Sequence, residues 1–172
     1  MINVKTRNRI FWGGVLFSVG FIYPCYAKEP LSNNCISLEK DSICISEFID
    51  SYGDSAFLLV INNIKYYKVS YYNNASIKKN KTRSFEISSN FSDRGNVNIV
   101  TTYNIVNNKP HIKKIYSSTR INESPYGAIE ICNAYVNQNL TQDIDYYIDK
   151  YIFDLPDSDK SKICKKIKLK EK

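Results

Sequence analysis

The sequence predicts an α+β fold: an antiparallel β-meander of four to five strands with C-terminal helices packed on one side, stapled by two disulfides. Three observations predict it. Between residues 56 and 119, apolar and polar side chains alternate in short runs broken by Asn- and Gly-containing turns, the pattern of strands with one dry face. From residue 124 onward, apolar side chains recur at three- and four-residue spacing, the pattern of helices. Four cysteines, Cys35, Cys44, Cys132 and Cys164, follow the apolar leader, an even number that suits a disulfide framework.

The leader comes first. Residues 1–9 carry Lys5, Arg7 and Arg9 and no acid, and residues 10–23 are apolar apart from Ser18. Cys25 and Ala27 then take the small-residue positions before the charged pair Lys28-Glu29. This order is that of a cleaved bacterial secretory signal over residues 1–27. The apolar run is shorter than the roughly 20 residues of a spanning helix, so no stable membrane insertion is expected after cleavage. The expected product is a single exported, periplasmic domain over residues 28–172, long enough to bury about two-thirds of its unfolded surface.

Residues 28–37 read as a polar leader with Pro30. Leu38, Ile45, Phe48, Ile49 and Tyr52 suggest a short helix over 38–52, closed by Gly53. Ala56 to Ile61 is a buried-strand run. Asn62-Asn63 can adopt the positive φ of a tight hairpin turn, and the chain returns over residues 64–72. On that strand Tyr67 and Tyr71 share one face, and Tyr66 and Tyr72 the other. Two aromatic faces imply either cover on both sides or an exposed recognition patch. Residues 73–81 read as a basic loop. Phe85, Ile87 and Phe91 mark a strand over 82–91, and residues 92–96 a turn. Val97, Ile99, Thr101, Tyr103 and Ile105 give the cleanest period of two in the chain. After the turn at 107–110, residues 111–119 return.

The remainder reads as helical. Ser124-Pro125 is a cap with a first-turn proline, followed by Ala128, Ile131, Cys132, Tyr135 and Val136 at helical spacing. Thr141 caps a second helix with Asp143 and Asp145 in its first turn and a stripe through Ile144, Tyr147, Ile148, Tyr151, Ile152 and Leu155, ended by Pro156. A third starts near Ser158 and carries Ile163, Cys164 and Ile167. The expected bridges are Cys35–Cys44 and Cys132–Cys164, one at each end of the exported chain.

The formal charge of +7 invites a nucleic-acid partner, but its distribution does not. Three positive charges lie in the leader, and the tail 165–172 holds five Lys and one Glu. Residues 28–164 carry 16 basic and 16 acidic side chains, so composition forces no basic face on the body. No nucleic-acid partner is expected.

Chemistry finds few footholds. His111 is the only histidine and reads as a solvent-facing residue at a strand start after Pro110, and no GxSxG surrounds a nucleophile. The cysteines are expected to be oxidised, and their spacing lacks the tight pairs of a metal site. Asp145 and Asp149 lie at i, i+4 on a helix and read as a solvated face rather than a glycosidase pair. No glycine-rich phosphate loop is present. The chain is therefore expected not to be an enzyme and to need no cofactor or metal.

Export, two bridges and a compact body without catalytic apparatus are similar in general profile to periplasmic lysozyme inhibitors. That profile implies a binding or inhibitory protein, foremost an immunity protein that occludes the active site of a cell-wall-targeting toxin or lysozyme-like hydrolase. The alternative is a structural or adhesive cell-envelope subunit. Irregular segments projecting from a stapled scaffold are the expected probes. The candidate binding residues are Asp93 and Arg94 at one tip, and Glu123 and Tyr126 in the segment RINESPYG.

Overall fold

The computed structural model describes residues 33–49, 53–72, 74–81, 83–91, 96–122 and 127–170. Strand takes 65% of them and helix 14%, which overturns the α+β expectation: the protein is mostly β. Two antiparallel sheets follow each other along the chain. The first is a four-stranded meander of β1 (Asn33–Leu38), β2 (Asp41–Ile49), β3 (Ser55–Ile61) and β4 (Ile64–Lys68). The second has six strands, β5 (Ser76–Lys81), β6 (Ser84–Phe91), β7 (Val97–Val106), β8 (Lys109–Ile121), β9 (Ala128–Asn139) and β10 (Cys164–Lys168). Between β9 and β10 lie helix α1 (Ile144–Ile148), a π-helical turn (Asp149–Phe153) and helix α2 (Asp157–Ile163).

Strand order within each sheet is sequence order, so every neighbour is reached by a hairpin except β10, which returns after the helices to the free side of β9. The hairpin turns show their chemistry. Ile61 pairs with Ile64 across Asn62-Asn63, and Val106 with Lys109 across Asn107-Asn108. All four Asn have φ between 50° and 68°, the two-residue geometry that matches strand twist. Asn62 also accepts the Ser42 N–H at 2.9 Å and donates to Asp41 at 2.7 Å, tying its turn to β2.

One core lies between the sheets. Ile43, Ile45, Leu59 and Ile61 from the first sheet meet Phe85, Ile87, Ile99, Tyr103, Ile112 and Ile115 from the second. Ile144, Tyr147, Ile148 and Ile152 from α1 and the π turn join the same cluster.

Three expected helices or helix parts are strands, each for a physical reason. Over 38–52, the three- and four-residue spacing skipped Ile43; Ile43 and Ile45 are buried alternately, and Glu39-Lys40 turns the chain with Glu39 at φ 55°. The expected helix after Ser124-Pro125 is β9. Its buried positions Ala128, Cys132, Ala134 and Val136 follow a period of two, while Tyr135 points outward at 77% exposure. The cap residues themselves lie outside the described residues. Pairing with β8 from Ile121↔Ala128 to His111↔Asn139 supplies a hydrogen-bond ladder that overrides local preference. The third helix stops at Ile163, and Cys164 starts β10. Residues 76–81, expected as loop, form β5, an edge strand in which Ile77 alone is buried. The strand expected over 64–72 ends at Lys68; there Val69 N–H bonds the Phe57 carbonyl, and Ser70 Oγ accepts the Phe57 N–H, which bends the chain inward. Thr141 is not the cap of α1: Asp143 takes that position, and Thr141 contacts the Tyr147 hydroxyl at 3.0 Å.

Both disulfides are present with the pairing Cys35–Cys44 and Cys132–Cys164. Each joins residues directly opposite on neighbouring strands, β1/β2 and β9/β10, with Cα atoms 4.1 and 4.0 Å apart. The second bridge thus pins a strand, not a helix, to β9.

Candidate binding face

The outer face of the six-stranded sheet holds a groove of about 860 Å³, near the top of the ~300–1,000 Å³ range of ligand sites. Strand register builds it. One cross-strand row runs Lys78–Glu86–Thr102–Lys114–Tyr135, one residue from each of β5 to β9. Val100 and Tyr116 lie in the flanking row on one side, and Ser84 and Asn104 in the flanking row on the other. All of these line the groove.

Two β-bulges load it with extra polar groups. The pairing of β8 skips Lys113 against both neighbours, because Ile112 pairs with Tyr103 while Lys114 pairs with Thr102. A bulge inserts one residue and re-aims its side chain. Ile112 and Ile115 both stay in the core, and the consecutive Lys113 and Lys114 both line the groove. The same occurs in β5, where pairing skips Asn80 between Lys79 and Lys81, and Asn80 and Lys81 both reach the groove.

The charges are partly compensated. Lys78 pairs with Glu86 at 3.0 Å, and Asn80 donates to the same carboxylate at 2.8 Å. Arg83 pairs with Glu39 at 3.1 Å, so the β1–β2 hairpin of the first sheet contributes to the rim. Lys114 lies over the Tyr135 ring, 5.7 Å from its centroid. Lys81, Lys113 and Lys114 have no carboxylate partner among the described residues, which leaves the groove net positive. Most acids of the body lie outside the groove, and three of them, Asp143, Asp145 and Asp149, sit on and beside α1.

Those acids are structural. Asp143 accepts the Lys68 backbone N–H at 2.9 Å, Asp145 binds Lys68 Nζ at 2.8 Å, and Asp149 accepts the Tyr71 hydroxyl at 3.1 Å. They dock α1 and the π turn on the end of β4, which corrects the expectation that Asp145 and Asp149 form a solvated face. Burial raises the Asp145 pKa, and Lys68 opposes that rise. Burial, followed by the Asp149 charge and hydrogen bond, also pushes the Tyr71 hydroxyl up. The Tyr-rich segment is mostly covered: Tyr66 donates to the Asn108 carbonyl, Tyr72 stacks on Phe91 at 5.1 Å, and only Tyr67 stays exposed, at 43%.

His111 is held by two amides, with ring nitrogens 3.0 and 3.2 Å from the side-chain oxygens of Asn139 and Asn137. Neither neighbour is a nucleophile. Among the described residues no three His, Cys, Asp or Glu side chains gather as a metal site, and no helix is long and apolar enough to cross a membrane.

Asp93, Arg94, Glu123 and Tyr126 lie outside the described residues. The strand ends that flank them, Phe91/Val97 and Ile121/Ala128, belong to one end of the sheet, opposite the end that carries Lys81 and Arg83. The groove residues Lys81, Lys113, Lys114 and Tyr135 were not singled out from the sequence. One signal was there: Ile112 and Ile115, both apolar and three apart within a period-two strand, mark the bulge that turns Lys113 and Lys114 to one side.

Comparison with protein families, curated proteins and solved structures finds no match to this chain.

Proposed function

We propose that the protein is an exported, non-catalytic binding protein of the periplasm, and specifically an immunity protein that inhibits a cell-wall-directed enzyme. The observation that carries this reading is the groove on the outer face of the six-stranded sheet. It is preformed on a disulfide-stapled β body, and two bulges aim additional polar side chains into it. Rigid sheet faces bind without a large ordering cost, which favours tight recognition. The two carboxylates of the groove, Glu86 and Glu39, are already engaged by Lys78 and Arg83. Inhibition then works by occlusion: the sheet face grips the enzyme next to its cleft, and access of the cell-wall polymer is blocked.

The alternative of a structural or adhesive subunit requires an edge that accepts another strand. Here both edge strands of the large sheet carry lysines, Lys165, Lys166 and Lys168 on β10 and Lys78, Lys79 and Lys81 on β5, charges of the kind that protect edges from pairing. The protein, mixed with candidate peptidoglycan hydrolases, is expected to co-purify with one and to slow its digestion of peptidoglycan. Deletion of its gene in a strain that keeps the hydrolase is expected to cause self-lysis. Failure of both results contradicts the reading.

A further inference from the structure

From the charge pattern of the groove we infer that its occupant is an acidic segment of a protein, one whose carboxylates meet Lys81, Lys113 and Lys114 and whose apolar side chains lie against Tyr116 and Tyr135. This rests on the binding reading above and specifies the partner's chemistry. Complementarity points to acid, since the cations without a carboxylate partner are the two lysines at the β8 bulge and the one beside the β5 bulge. Opposite potential across an interface steers encounter and fixes register.

Three features favour a protein segment over a free polyanion such as a nucleic acid or an anionic glycan. Glu39 and Glu86 stand in the same groove and repel a uniformly negative chain, whereas a protein segment can place a neutral or basic residue against them. The single arginine, Arg83, is already paired with Glu39, and the remaining cations are lysines, point charges without the fork that suits phosphate. Finally, Tyr135 is 77% exposed beside Lys114, and Tyr116 lies in the adjacent row, the aromatic enrichment found in protein interfaces.

The test titrates the protein, labelled for NMR, with a peptide of alternating glutamate and serine ending in tyrosine and separately with heparin. Two charge-reversed variants are compared: Lys81→Glu/Lys113→Glu/Lys114→Glu in the groove, and Lys165→Glu/Lys166→Glu/Lys168→Glu on β10. The peptide is expected to shift the amides of Thr102, Lys114 and Tyr116. The groove variant is expected to lose at least about tenfold in affinity, and the β10 variant less than about twofold, since screening weakens charges far from the site. Equal losses in both variants, no shifts on the sheet, or tighter groove binding by heparin than by the peptide would overturn the inference. A groove variant that still inhibits the hydrolase at full strength overturns it too, while leaving the inhibitory function standing. Peptide binding in the groove with no hydrolase inhibited would instead sink the function and leave the acidic-segment preference intact.

Discussion

Phe85 and Tyr103 stack across β6 and β7 at the centre of the core, with ring centroids 5.2 Å apart and no exposed surface. Their roles differ by one atom. The Tyr103 hydroxyl is buried and meets no hydrogen-bond geometry among the described residues; burial pushes its pKa up, and the Thr101 side chain opposes that rise. Removing a buried polar group that makes no bond is close to neutral, because it was already desolvated without return. Tyr103→Phe is therefore expected to leave the urea midpoint unchanged or raise stability by up to about 1 kcal/mol. Phe85→Ala, which opens a cavity against the same ring, is expected to cost about 3–5 kcal/mol. A clear loss in Tyr103→Phe would show that the hydroxyl is bonded. Both rings were legible as strand residues, since Phe85 and Tyr103 fall on the alternating apolar positions of their runs. That they form the centre of a two-sheet core was not, because the local pattern gives a face but not what that face meets.

At the scale of elements, the short helix α1 is held by its acids. It has only five residues, too few to persist on their own, and its stripe of Ile144, Tyr147 and Ile148 is anchored by Asp143, Asp145 and Asp149 on the end of β4. Lys68→Met leaves the half-buried Asp145 carboxylate without its cation, and a cost of about 1–3 kcal/mol is expected. Asp145→Asn is expected to cost less, because an amide carries no charge to desolvate and still accepts a hydrogen bond from Lys68. The pH dependence separates them. The Asp145 pKa is raised in the folded state, chiefly by burial, so the native protein holds this proton to higher pH than the unfolded chain does. Its titration therefore contributes stability that is fully present below the ordinary value of 3.8 and is lost as pH rises through the raised folded value. Denaturation followed upward in pH from 3.8 is expected to move in favour of Asp145→Asn relative to wild type; movement the other way would mean that Lys68 outweighs burial. The elements that sequence periodicity misplaced share a cause. In β9, Ala128, Ile131, Cys132, Tyr135 and Val136 satisfy helical spacing because apolar residues occur on both faces, and only the ladder to β8 and β10 selects the strand. The paired cysteines carried that information in part: residues that sit opposite each other in antiparallel strands suit a bridge as well as helix neighbours do.

For the whole molecule, the two bridges and the charge layout set the behaviour. In the chain-entropy model, a loop of 32 residues gains more from closure than one of 9. Cys132→Ser/Cys164→Ser is thus expected to cost about 4 kcal/mol and Cys35→Ser/Cys44→Ser about 2.5 kcal/mol, read from denaturation under oxidising conditions. Equal losses would place the effect in native packing rather than in the unfolded chain. Net charge concealed the layout: a body with 16 basic and 16 acidic residues still divides into a cationic sheet face and a remainder that offsets it. Counting along the chain cannot reveal that division, because the lysines of the groove come from separate strands and are brought together by register and by the bulges. The most direct test of this account is peptidoglycan clearing by the hydrolase it is proposed to bind, measured with increasing amounts of the protein and of its Lys81→Glu/Lys113→Glu/Lys114→Glu variant. Inhibition that saturates at one protein per enzyme for wild type, and is lost in the variant while its fold is kept, is the predicted result. No inhibition by wild type, or equal inhibition by both, would contradict it.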